Sequence, residues 1–144
     1  MPFLGEYFHN LDQKGRAAIP AKFREKISGG AIITRGLDHC LFVLPKDEWE
    51  KLAQKIIAMP LAKSDSRAFA RLMLAQASEV EFDNQGRILI PEPLRRYAGL
   101  SKKIVVIGVY NRLEIWDENE WTKYKKKTES ASEEIAEKLE GLGI

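Results

Sequence analysis

The chain of 144 residues has one cysteine, Cys40, two histidines, His9 and His39, and no apolar run long enough to cross a bilayer. A single thiol forms no internal disulfide, so a reducing cytoplasm is the expected setting. The surrounding His39-Cys40-Leu41-Phe42-Val43 reads as a strand, where a thiol is buried and inert rather than nucleophilic. Neither histidine has a partner at metal-binding spacing, and no glycine-rich strand-to-helix loop offers a nucleotide cradle. Met1-Pro2-Phe3-Leu4-Gly5-Glu6 lacks the basic and long apolar regions of a signal peptide. Charge of one sign is scarce as well. Lys and Arg number 23 against 21 Asp and Glu, a net charge of +2, so any electrostatic binding has to come from a local patch. These absences leave no catalytic residue to assign. No enzyme activity, metal, cofactor, small-molecule substrate or membrane partner is expected.

What the chain does have is a doubled motif. Asp12-Gln13-Lys14-Gly15-Arg16-Ala17-Ala18-Ile19-Pro20 returns as Asp83-Asn84-Gln85-Gly86-Arg87-Ile88-Leu89-Ile90-Pro91, 71 positions later. The shared pattern is Asp-x-x-Gly-Arg-x-x-Ile-Pro. A repeated core strand requires only repeated hydrophobicity, whereas the repeated residues here are polar and sit at a turn. Asp at a turn's start can accept from backbone N–H groups ahead of it, and Gly supplies the positive φ that closes a hairpin loop.

The repeat extends further. Phe23-Arg24 matches Leu94-Arg95, and at an offset of 72 Gly36, Leu41, Val43 and Trp49 match Gly108, Leu113, Ile115 and Trp121. Each copy reads as strand, tight turn, strand, short helix, strand, turn, strand, helix. The first strand is expected over Glu6–Leu11. Trp49, Leu52, Ile56 and Met59 follow the helical period in the first copy. Between the copies, Ser64 or Asp65 is expected to cap a helix with Phe69, Leu72, Met73 and Gln76 on one face. After the basic Lys123 to Lys127, Ser130-x-x-Glu133 reads as a capping box for a last helix carrying Ile135 and Leu139. The organisation expected is a first module over 5–49, connecting helices over 50–77, a second module over 78–121, and a basic segment with its helix over 122–144. Each half alone is too short for a comfortable core, so two halves that complete each other are expected. The fold class is therefore mainly β with peripheral helices (α+β) and pseudo-twofold symmetry.

The candidate site comprises Asp12, Gln13, Lys14, Gly15 and Arg16 with Asp83, Asn84, Gln85, Gly86 and Arg87. Arg matches guanine O6/N7 in the major groove, Gln and Asn match adenine, and Lys with backbone N–H groups suits phosphates. The structural alternative is that each Arg merely pairs with its own Asp to stiffen the hairpin. Recurrence of the whole polar turn favours a binding surface, with each Asp orienting its Arg. The second turn lacks a counterpart of Lys14 and is the weaker of the two. Lys22, Arg24, Arg95, Arg96 and other nearby cations read as ordinary solvated charges.

These residues carry a resemblance. Phe3-Leu4-Gly5-Glu6-Tyr7, Asn10-Leu11-Asp12-x-x-Gly15-Arg16, Ile19-Pro20 and Glu79-Val80-Glu81-x-Asp83-x-x-Gly86-Arg87-Ile88-x-Ile90-Pro91 are similar to the MraZ family of bacterial transcriptional regulators, relatives of the AbrB-like regulators and antitoxins. The resemblance implies tandem AbrB-like repeats in a double-split β-barrel, assembly into a homo-oligomeric ring, and a cytoplasmic, nucleoid-associated location. It implies binding to direct repeats in double-stranded DNA upstream of the division and cell-wall gene cluster, usually as a repressor. The DNA-reading positions it implies are Asp12 and Arg16, then Asp83 and Arg87. A second reading is an AbrB-like structural or antitoxin-type module whose chief partner is another protein.

Overall fold

The sidedness of Phe3-Leu4-Gly5-Glu6-Tyr7-Phe8 builds the first strand, β1 (Phe3–Asn10), in the computed structural model, which describes residues 2–143. Phe3 and Tyr7 turn inward, while Leu4, Glu6 and Phe8 stay exposed. The turn leads into β2 (Arg16–Ala18), and Pro20 then sets the backbone for α1 (Ala21–Arg24), which tightens into a 3-10 turn at Glu25–Ile27. The hairpin of β3 (Ala31–Arg35) and β4 (Leu41–Pro45) runs into α2 (Lys46–Ile57), followed by α3 (Ser64–Leu74). The second half repeats the order: β5 (Ser78–Glu79), β6 (Arg87–Leu89), α4 (Glu92–Ala98), β7 (Lys103–Tyr110), β8 (Leu113–Asp117) and α5 (Glu118–Ser130). The chain ends with α6 (Ser132–Lys138) and a 3-10 turn, Glu140–Leu142.

The strands pair antiparallel in one six-stranded sheet of order β1-β7-β8-β4-β3-β5 and a separate two-stranded ribbon, β2-β6. The ribbon sits on the pseudo-twofold, with Ala17 opposite Ile88. Two isolated bridges, Leu11 to Ala17 and Phe82 to Ile88, tie each first strand to its own half's ribbon strand.

The halves exchange their first strands. β1 of the first half pairs along its whole length with β7 of the second, and β5 of the second half pairs with β3 of the first. Gly108 lies opposite Gly5, and a Cβ at Gly108 would collide with the backbone of Phe3 and Leu4, so the long β1–β7 pairing depends on that missing side chain. The core is correspondingly single. Ala17, Ile19 and Phe23 pack in one buried cluster with Ile88, Ile90 and Leu94, their counterparts one repeat later.

Several expectations change in detail. More residues lie in α-helix than in strand, so the fold is mixed α+β rather than mainly β, because the connecting and C-terminal helices are long while β2, β5 and β6 are short. The first strand of the second half shrinks to two residues, since it pairs only with Ile32 and Ile33 of β3. Ser64 does not cap α3: Lys63 holds the cap position without a side-chain bond, and Gln76 lies beyond the helix end. Ser130 closes α5, with its hydroxyl donating to the Lys127 carbonyl, and Ala131 is the cap of α6. Cys40 sits in the turn just before β4, fully buried, and desolvation pushes its thiol far above the ordinary range.

Candidate nucleic-acid interface

The two Asp-x-x-Gly-Arg turns are built alike. Asp12 Oδ1 accepts from the backbone N–H groups of Lys14 (2.9 Å) and Arg16 (2.8 Å), and Arg16 Nε donates to Asp12 Oδ2 at 2.7 Å. In the second turn Asp83 Oδ1 accepts from Gln85 N (2.9 Å) and Arg87 N (3.0 Å), and Arg87 Nε donates to Asp83 Oδ2 at 2.8 Å. Gly15 and Gly86 close the turns at φ +81° and +74°, a conformation in which a Cβ is strained. Each Asp therefore does two jobs: one oxygen organises the loop and the other aims the guanidinium.

The turns also meet each other. Arg87 Nη1 lies 3.5 Å from Asp12 Oδ2, and Arg16 Nη1 lies 3.9 Å from Asp83 Oδ2. Backbone bonds cross in the same way, Ile90 N to the Gly15 carbonyl (2.9 Å) and Ile19 N to the Gly86 carbonyl (3.3 Å). Antiparallel β2 and β6 place the two turns side by side, so the sites read separately from the sequence form one four-charge cluster. Each guanidinium commits Nε to its own carboxylate. Among the described residues no hydrogen bond engages Nη2 of Arg16 or Arg87, and both side chains keep a quarter to a third of their surface exposed (30% and 25%). The ion pairing foreseen as the structural alternative is thus present, and it leaves donors free.

Two further arginines, first read as solvated charges, belong to this face. Arg95 lies over Gly15 and Arg24 lies over Gly86, each occupying the space a Cβ would need, and each reaching from one half onto the other half's turn. Arg95 Nη1 donates to the Ile90 carbonyl, and the buried Nε of Arg24 has no partner among the described residues. Their equivalence was visible in the sequence, since 24 and 95 keep the 71-residue offset. That they cross between halves was not. Gln13, Lys14, Asn84 and Gln85 form the exposed turn tips.

The Arg16 backbone N–H, followed by its guanidinium and the Lys14 N–H, holds the Asp12 carboxyl below the usual range against a desolvation that opposes it. Arg87 and Gln85 do the same for Asp83. A carboxyl depressed in the folded state contributes stability above its unfolded pKa of ~3.9, and the contribution is lost as pH falls through the folded value. Melting curves between pH 6 and pH 2.5 are expected to show the result. The wild type loses melting temperature below about pH 4, and Asp12→Asn/Asp83→Asn flattens that fall. Equal slopes for the two proteins would remove the carboxylates from the acid response.

The MraZ family model, described as "MraZ protein, putative antitoxin-like", matches this chain twice, over residues 2–72 and 73–141. The chain belongs to the MraZ family. Among its curated MraZ relatives, the "Transcriptional regulator MraZ" of Natranaerobius thermophilus is 52% identical over 142 residues, 99% of each chain. That of Halothermothrix orenii is 50% identical over 142 residues, again 99% of each. That of Carboxydothermus hydrogenoformans is 51% identical over 137 residues, 95% of this chain and 96% of the relative. Both MraZ matches contain one complete turn, so the doubled motif noted at the outset is a doubling of the family unit itself. No helix among the described residues is long and apolar enough to cross a membrane, and no cluster of three or more potential metal ligands occurs among them.

Proposed function

We propose that this MraZ-family chain is a sequence-specific transcriptional regulator that binds double-stranded DNA through the paired turns. It acts as a homo-oligomeric ring on direct repeats upstream of the division and cell-wall gene cluster, as a repressor, in the nucleoid of the cytoplasm. The observation that carries the reading is the side-by-side display of Arg16 and Arg87, each held by an Asp through Nε and each with no hydrogen bond to Nη2 among the described residues. A guanidinium fixed in this way has less rotamer freedom to lose on docking against a base edge. Gln13, Asn84 and Gln85 offer amides for adenine, and Lys14, Arg24 and Arg95 add charge for flanking phosphates. The relatives' name, transcriptional regulator, agrees with the chemistry. The double-split β-barrel is proposed with it, its halves joined by the exchanged strands and the β2-β6 ribbon.

One chain presents two turn tips and a net charge of +2, so a single copy binds weakly. A ring of copies on successive repeats makes the later contacts intramolecular and raises avidity without new chemistry. Fluorescence anisotropy with a labelled upstream duplex and a scrambled one tests this. Affinity is expected to fall steeply with salt as phosphate contacts release counterions, and the upstream duplex is expected to bind at least about a thousandfold tighter than the scrambled one. Equal affinity for both duplexes, or a complex indifferent to salt, would overturn the reading. The protein-interaction alternative is favoured only by the antitoxin-like wording of the family description.

A further inference from the structure

Among the described residues, the last helix finds no buried seat on its own chain. α6 packs against α5 and the terminal turn and buries no residue, and Ile135, Leu139 and Leu142 are 40%, 40% and 73% exposed. Ile135 lies in α6, Leu139 caps it and Leu142 lies in the 3-10 turn that follows, so the segment ends in a row of exposed aliphatic side chains of the kind that anchors in a groove. The stripe is set among acids: Glu129, Glu133, Glu134, Glu137 and Glu140 against the single cation Lys138.

A groove of opposite charge exists elsewhere on the chain. The α2–α3 hairpin leaves an open depression of about 180 Å³ lined by Ile56, Ile57, Met59, Leu61 and Ala70, with Arg67 at its side. Ile57 and Leu61 are 59% and 81% exposed, an unusual amount of aliphatic surface at one turn. Arg67 Nη1 donates to the carbonyls of Leu61 and Ala62, 3.1 Å each, so the groove's wall is held in shape. From Lys55 to Arg71 the segment carries four cations, Lys55, Lys63, Arg67 and Arg71, against one carboxylate, Asp65.

We infer that the α6 segment of one copy docks in the α2–α3 groove of a second copy. Ile135, Leu139 and Leu142 enter among Ile57, Met59 and Leu61, and the glutamates line up with the basic rim. Placement within the fold favours a second copy over the same chain. α2 and α3 pack on β3 and β4 near one end of the sheet, whereas α5, which carries α6, packs on β7 and β8 towards the other. A tail at one end meeting a groove at the other is a head-to-tail contact, in which each copy offers both halves of the interface. The inference rests on the self-assembly proposed above and names the surface that performs it.

Light scattering without DNA, at micromolar concentration, tests it with exposed positions whose substitution leaves the core intact. Leu61→Glu and Ile135→Glu/Leu139→Glu are each expected to weaken subunit association at least about tenfold and leave monomers, with circular dichroism unchanged. Mixed one to one, the two variants are expected to pair into dimers and stop there, because each keeps the half that the other lacks. Assembly unaffected in both variants, or a mixture that stays monomeric, overturns the tail-to-groove contact and leaves the ring standing on another surface. A monomeric wild type overturns the contact and self-assembly together. Neither result touches duplex discrimination, which is read separately by anisotropy.

Discussion

Arg16→Ala/Arg87→Ala is expected to lower affinity for the upstream duplex by at least about a hundredfold, measured by anisotropy titration at fixed salt. A bidentate arginine contact to guanine contributes ~1–3 kcal/mol of discrimination, and a subunit loses two such groups. The loss is compounded because Asp12 and Asp83 then stand without guanidiniums on a face that must approach phosphates. Among single variants, Arg16→Ala is expected to cost more than Arg87→Ala, since Lys14 accompanies only the first turn. Arg16→Lys/Arg87→Lys separates base reading from simple attraction. Lysine keeps the charge but cannot hold Nε on the Asp while presenting a planar fork, so binding to scrambled DNA persists while preference for the upstream duplex collapses. A lysine variant with full preference, or an alanine variant with unchanged affinity, would take the paired arginines out of the mechanism.

The largest loss of stability is expected at Phe23→Ala, about 3–5 kcal/mol by chemical denaturation. Phe23 is fully buried, and its ring meets Phe3 (centroids 5.4 Å apart) and Tyr7 (5.1 Å) edge-on. Those two partners belong to β1, the strand lent to the second half, so the truncation empties the joint between halves. Hydrogen exchange should report it locally, with faster exchange along β1 and β7 before the β3–β4 hairpin loosens. The repeat counterpart Leu94 is equally buried but has no ring to set edge-on against Phe3 and Tyr7, so Leu94→Ala is expected to spare β1 relative to Phe23→Ala. A loss under about 1 kcal/mol, or exchange rising evenly over the sheet, would mean that Phe23 is not the joint.

Residues that repeat at an offset of 71 or 72 were readable before any coordinates. Asp12 with Asp83, Phe23 with Leu94, and Val43 with Ile115 announced two equivalent halves and the order of elements within each. An offset states which positions are equivalent and not which ones touch. For that reason the exchange of β1 and β5, the crossing of Arg24 and Arg95 onto opposite glycines, and the contact between Asp12 and Arg87 had to come from the fold. Local signals fared worse where tertiary packing supplied the restraint. Ser64 offered a cap, yet α3 is held by a buried bond from Thr34 Oγ1 to the Met73 carbonyl (2.6 Å). The first strand of the second half is only Ser78–Glu79, because it pairs with no more than Ile32 and Ile33 of β3. The bond from Trp121 Nε1 to Glu6 (2.9 Å), which fastens α5 across β1, left no mark in the spacing at all.

The exchanged strands carry a further implication for the chain as a polymer. Neither half closes its sheet with its own first strand, so a half-length chain folds only by finding a second one, at a rate and extent set by concentration. Joining the two through α2 and α3 turns that encounter into an intramolecular event with a high effective concentration. Fusion also frees the halves from identity. A dimer of equal chains must carry every substitution twice, whereas this chain keeps Lys14 at one tip and Gln85 at the other, and so presents an asymmetric face from a symmetric frame.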